Sequence, residues 1–278
     1  MPKILVCLDG SRYSKVVIES AVDIARIMAS SVAGLFVVES KALEGFYSDV
    51  HFQAMGGTLN RKTYQNKLLD IFMNRGEQIL DELEKAMVTT GLDVERIIVE
   101  GITHKEILEH SRYADLVIMG RRGEHAAWGG PLLGSTAETI IHSIRVPLLL
   151  TVESHKPVKR VLIAYDGTKY IKRALEWLKE PFGNHEIALS ILTVSSLPVA
   201  AAEIIDEANQ ILEEYPGDIT TWSEDGEPAQ KILEVAEHDN VDMIVLGAYG
   251  QTRVRELILG SVTEEVIRQT KLPVLCFR

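Results

Sequence analysis

The apolar positions of this chain fall into short continuous runs, separated by stretches in which they recur at every third or fourth residue. ILVCL at 4–8 is an unbroken run, as expected of a strand covered on both faces. Val17, Ala21, Ile24, Ala25 and Met28 follow at helical spacing and predict a helix over 12–29. Val32–Val38 reads as a second strand. Tyr64, Leu68, Ile71, Phe72, Ile79, Leu83 and Met87 then form a long helical stripe, which stops at Thr90-Gly91, where glycine suits a helix C-cap. Strands over 94–99 and 115–119, helices over 104–112 and 135–143, and a closing strand over 146–151 complete this half. The rest of the chain predicts strands over 160–165, 186–194, 218–223, 241–246 and 273–278. Between them lie helices over 169–180, 201–214, 228–238 and 261–270. Alternation of this kind predicts parallel sheets with helices on both faces.

The two halves also repeat in sequence. KILVCLDGSRYSK (3–15) aligns without gaps on RVLIAYDGTKYIK (160–172), ADLVIMGRRG (114–123) on VDMIVLGAYG (241–250), and GSTAETIIHSIRVPLLL (134–150) on GSVTEEVIRQTKLPVLC (260–276). Three anchors in one order predict a duplicated domain, with copies over 1–152 and 157–278. The polar segment Glu153–Val158 between them is short, so the copies should pack together. The first copy is longer in its middle. Its segment 41–60 reads as a loop, serving as a lid, an interaction surface or a contact with the second copy. Each copy ends in an apolar strand, and an exposed apolar edge invites pairing.

Composition narrows the choice of partners. The net charge of −11, from 40 acidic and 29 basic residues, disfavours nucleic acid and anionic membranes. An anionic ligand must then be held by backbone amides, helix ends or a metal. The two cysteines, Cys7 and Cys276, sit in apolar runs and read as inert core thiols of a reducing cytoplasm. No apolar run approaches the roughly 18 residues that span a bilayer, and the N-terminal apolar run is too short for a secretory leader.

Ligands of open parallel sheets bind beyond the carboxyl ends of strands where the strand order reverses. Here the first strand of each copy ends in Asp9-Gly10-Ser11 or Asp166-Gly167-Thr168, and the fourth runs into a glycine loop. The loop of the second copy, Gly247 to Ser261, has the pattern G-x2-G-x9-G-S. Glycines let a backbone approach a phosphate. Gly260-Ser261 opens a helix, whose free amides and dipole favour an anion. Asp166 suits ribose hydroxyls or Mg²⁺.

These motifs closely resemble those of the universal stress protein family, over both halves of the chain. The resemblance implies two tandem five-stranded, Rossmann-like α/β domains that bind ATP or another adenine nucleotide, with Mg²⁺ as an optional companion. Carried over by position, Ala164 and Asp166 lie near base and ribose, and Val194 meets the adenine. Leu246, Gly247, Gly250, Gly260, Ser261 and Val262 hold ribose and phosphates. Asp9, Val37, Met119, Gly120, Gly123, Gly134, Ser135 and Thr136 occupy the same positions in the first copy. There the loop departs from the pattern: ten residues, EHAAWGGPLL, separate Gly123 from Gly134. Arg121 and Arg122 stand within it, as aids to an anion or as solvated charges. Family members commonly dimerise through the last strand, which implies an internal pseudo-dimer here, with a homodimer as the alternative. Leu148, Leu149, Val274 and Leu275 should line its seam.

No P-loop lysine, G-x-S-x-G elbow or zinc motif occurs. His104 and His125 are the histidines nearest the expected crevices. No catalytic residue stands out, so ATP hydrolysis should be slow. The leading expectation is a cytoplasmic, nucleotide-binding regulator or sensor of stress. A scaffold with one or both sites vestigial and a slow ATPase or nucleotidyl-transfer enzyme are the alternatives.

Overall fold

The computed structural model describes residues 2–40, 61–123, 133–248 and 260–278, with the backbone alone for 61–65. The segment 41–60, His125 and Gly250 lie outside the described residues. In chain order, the first half comprises β1 (Lys3–Leu8), α1 (Ser14–Met28), β2 (Ser31–Glu39), α2 (Arg61–Met87), β3 (Val94–Gly101), α3 (Thr103–Ser111), β4 (Leu116–Gly120), α4 (Ser135–Ser143) and β5 (Leu148–Thr151). The second comprises β6 (Arg160–Ala164), α5 (Lys169–Gly183), β7 (Ala188–Val194), α6 (Pro198–Ile211), β8 (Ile219–Glu224), α7 (Pro228–His238), β9 (Met243–Gly247), α8 (Ser261–Gln269) and β10 (Val274–Phe277).

The alternation expected from the apolar pattern is present throughout, with shifts at element ends. The stripe of α2 ends at Met87, passes through a 3-10 turn at Val88–Thr90 and stops at Gly91, whose φ of 70° is left-handed. Helix α5 runs through Pro181 to Gly183, beyond the predicted end at 180. Proline forfeits one amide bond there, and burial of Phe182, 1 % exposed, holds the last turn in place.

The two expected five-stranded sheets are joined edge to edge, as the expected pairing of their last strands requires. Ten strands run in the order β3-β2-β1-β4-β5-β10-β9-β6-β7-β8. Within each half all pairs are parallel, and β1 lies beside β4 as β6 lies beside β9. The halves join where β5 meets β10 antiparallel, Leu148 opposite Cys276, Leu149 opposite Leu275 and Leu150 opposite Val274. Each of these six residues is at most 4 % exposed. Apolar side chains on both faces of two short edge strands explain the merger: neither edge can face water, and pairing removes both. The core on one face crosses the seam through Leu149 and Leu275, and that on the other through Leu148, Leu150, Val274 and Cys276.

The connecting segment is pinned to α1. Ser20 Oγ lies 3.3 Å from His155 Nδ1, and the Val158 amide donates to Asp23 Oδ2 at 3.0 Å.

Candidate functional site

In each half the strand order reverses between the first and fourth strands, which opens a crevice at the carboxyl ends of β1 and β4, and of β6 and β9. The Asp-Gly turns that follow β1 and β6 are built alike. The amides of Ser11 and Thr168 donate to Asp9 Oδ1 and Asp166 Oδ1 at 2.9 and 3.0 Å. Gly10 and Gly167 take φ of +68° and +73°, a conformation that explains glycine at both positions. Asp9 Oδ1 also accepts from Ser14 Oγ at 3.0 Å.

The glycine loops leave and return through matching bonds. Arg121 and Ala248, just after β4 and β9, donate their amides to Thr151 O and Phe277 O at 3.0 and 2.7 Å. Their carbonyls accept the amides of Gly134 and Gly260, both at 3.0 Å. The two glycines are the N-caps of α4 and α8, with φ of −66° and −60° and no side-chain cap. The first amides of each helix lack intrahelical partners and lie beside an exposed Ser135 or Ser261, an arrangement that suits an anion.

The predicted residues converge in the first half. A Cβ at Gly123 would stand 2.6 Å from Asp9 Oδ2, so the loop presses against the β1 turn, and a larger residue there must displace that carboxylate. A Cβ at Gly120 would stand 2.6 Å from Arg122 O. Val37 at the end of β2 and Met119 in β4 share one face of the sheet, and Thr136 lies in the first turn of α4. In the second half Ala164, Val194, Leu246 and Val262 share the equivalent face, with Gly247 at the end of β9 and Gly260-Ser261 at the head of α8. Thr263 Oγ1 donates to Gly247 O at 2.8 Å and ties α8 to β9. Its counterpart is Ala137, which has no hydroxyl to offer. His104 sits at the head of α3, beyond β3.

Neither arginine is a freely solvated charge. Arg121 reaches into the second half, where its Nη1 donates to Ile267 O and Thr270 O at 2.6 and 2.8 Å. Burial lowers its pKa from the usual arginine value, aided by Arg122 and opposed by Glu153. Arg122 pairs with Glu153 at 3.2 Å.

Two side chains that sequence reasoning missed lie close to the Asp-Gly turns. A Cβ at Gly10 would stand 2.6 Å from Arg75 Nε, so the α2 guanidinium overlies the first turn. At Gly167 the nearest atom is Glu207 Oε2 of α6, at 3.6 Å. Glu207 accepts from Lys172 Nζ at 2.5 Å and from Tyr165 Oη at 3.1 Å. The hydrogen bond from Lys172 holds its carboxyl below the usual range, and burial followed by Glu207 raises the Tyr165 phenol. These helices come from the unaligned middles of the copies, where no repeat signal exists. Cys7, in β1 at the position of Ala164, is half-buried, and burial pushes its thiol, like that of Cys276, up to about 12.

Comparison with known proteins gives concordant matches. The model of the "Universal stress protein family" matches residues 1–151 and 199–278. A universal stress protein of Synechocystis sp. is 27% identical over 289 aligned positions covering 100% of both chains. The crystal structure of a universal stress protein from Archaeoglobus fulgidus superposes with a TM-score of 0.76 at 26% identity, covering 99% of this chain and 95% of its own. A Pseudomonas aeruginosa structure described as a putative universal stress protein shares the fold, with a TM-score of 0.65 at 15% identity and coverage of 99% and 92%.

Proposed function

The chain belongs to the universal stress protein family, and on that footing we propose that it is an ATP-binding regulator or sensor of stress, made of copies over 1–152 and 157–278. One observation carries the reading: in both halves a helix opens on a glycine N-cap after the fourth strand, and the first strand, its neighbour in the sheet, ends in an Asp-Gly turn. Open amides and a helix dipole suit phosphates, and the apolar floor at Val37 and Met119, or Val194 and Leu246, suits an adenine ring. Asp9 and Asp166 would hold ribose hydroxyls. Gly120, Gly123, Gly134, Ser135 and Thr136 would surround the phosphates of the first site. Gly247, Gly260, Ser261 and Val262 would do so in the second, Ala164 lying by the base. Mg²⁺ would enter with the phosphates.

ATP acts in this reading as a ligand that biases conformation or partner choice, and no side chain is assigned a catalytic role. Native mass spectrometry after incubation with ATP, paired with a phosphate-release assay, tests it. Bound adenine nucleotide with little turnover is the expected result. A chain that takes up no ATP is a scaffold instead, and sustained turnover makes it an ATPase.

A further inference from the structure

Arg121 serves both halves of the molecule at once. Its main chain belongs to the first site: the carbonyl accepts the Gly134 amide at 3.0 Å, and so holds the N-cap of α4. Its side chain belongs to the second half, where Nη1 reaches Ile267 O and Thr270 O. These carbonyls lie at the C-terminal end of α8, where intrahelical partners run out. A cation there also complements the helix dipole. Helix α8 has nine residues, a rod of about 13 Å. Its opposite end is Gly260-Ser261, the phosphate end proposed for the second site.

The tie runs one way. Ala248 occupies the matching place in the second loop and has only a methyl group to offer. The C-terminal end of α4 is held instead by Arg278, whose Nη1 donates to His142 O at 2.7 Å from outside either loop. Among the described residues, then, Arg121 is the residue whose backbone closes one loop and whose side chain grips the opposite half's helix.

We infer that Arg121 is a positioning residue through which ligand occupancy of the first glycine loop alters the nucleotide affinity of the second. The inference rests on both loops being nucleotide-phosphate sites. An anion at the head of α4 competes for the Gly134 amide and shifts the Arg121 carbonyl. The planar guanidinium, bound to two carbonyls, passes that shift to α8 as a movement of the whole short rod. Thermodynamic linkage makes the effect on affinity reciprocal.

Four full-length chains provide the test: the parent, G134V, R121M and the double variant, each titrated with ATP by calorimetry. Val at 134 would crowd the head of α4, its Cβ 3.4 Å from Arg121 O. In the parent background, disabling the first site should change the second-site affinity about fivefold, within the usual span of allosteric couplings. In the R121M background the same substitution should leave the second site unchanged, and R121K, which retains one cationic donor, should fall between. A structural role alone would lower second-site affinity without removing its dependence on the first. Hydrogen exchange of the last turn of α8 without nucleotide should rise in R121M and shows whether the chain stays folded. Equal dependence in both backgrounds, or none in the parent, would overturn the coupling alone. A parent chain that binds no ATP would overturn the nucleotide reading and the coupling with it.

Discussion

Replacing Val274 with lysine probes the seam that makes one sheet of two halves. Val274 is 1 % exposed, pairs with Leu150 across the seam and lies beside Ile244 of β9. Losing its buried side chain costs about 1.5–3 kcal/mol. An ammonium with no anionic partner adds several kcal/mol more. The sum, on the order of 5 kcal/mol, is a large part of the roughly 5–15 kcal/mol that stabilises a typical domain. Val199→Lys is the control, because Val199 is 75 % exposed and such changes cost within about 0.5 kcal/mol. The pH dependence has a definite sign. Burial lowers the pKa of the new lysine below its unfolded value of about 10.4, so between the two values the unfolded chain binds more protons. Stability therefore rises with pH, and the deficit of V274K should narrow as pH approaches 10. Urea unfolding gives the energies, and small-angle scattering shows whether the halves separate. A loss under about 1 kcal/mol, with an unchanged radius of gyration and unchanged protease sensitivity at 153–158, would refute this role for the seam.

Two further predictions concern the crevices. Gly123→Ala places a methyl 2.6 Å from Asp9 Oδ2, while the other oxygen of that carboxylate is held by Ser11 and Ser14. ATP affinity at the first site should fall about tenfold, or about 1.4 kcal/mol, with the second site spared, and calorimetry on the full chain reads both. Glu207 has a depressed pKa in the folded state, chiefly through Lys172. Its contribution is therefore present above the ordinary glutamate value of about 4.3 and lost as pH falls through the folded value. The Glu207→Gln chain should be less stable than the parent at pH 7, and the gap between urea midpoints should close in acid. A gap independent of pH would show that the carboxylate charge is not what stabilises this contact.

The element order and the repeat were legible because each rests on local pattern, whereas the pairing at the seam was implied by the family resemblance together with two apolar edges. Buried parallel strands read as continuous apolar runs, and two apolar edge strands leave few arrangements open. The Asp-Gly turns and glycine-capped helices were equally visible, since positive φ and open helix amides call for particular residues at fixed offsets. What stayed hidden depends on side chains that travel far. Arg121 and Ile267 are 146 positions apart, and loop composition alone points an arginine toward an anion. Arg75 and Glu207 come from helices without a counterpart alignment, so nothing placed them close to the Asp-Gly turns. Thr263 differs from Ala137 by a hydroxyl, whose partner, Gly247 O, is identified by the fold and not by the spacing.

The most direct measurement of the central claim is a calorimetric titration of the full chain with ATP, run beside G134V, G260V and the variant carrying both. Each substitution puts a branched side chain at the N-cap of a helix proposed to receive phosphate. The account predicts two binding events in the parent, one in each single variant and none in the double variant, whose circular dichroism matches the parent. Binding by the folded double variant equal to that of the parent would place the nucleotide elsewhere and contradict it.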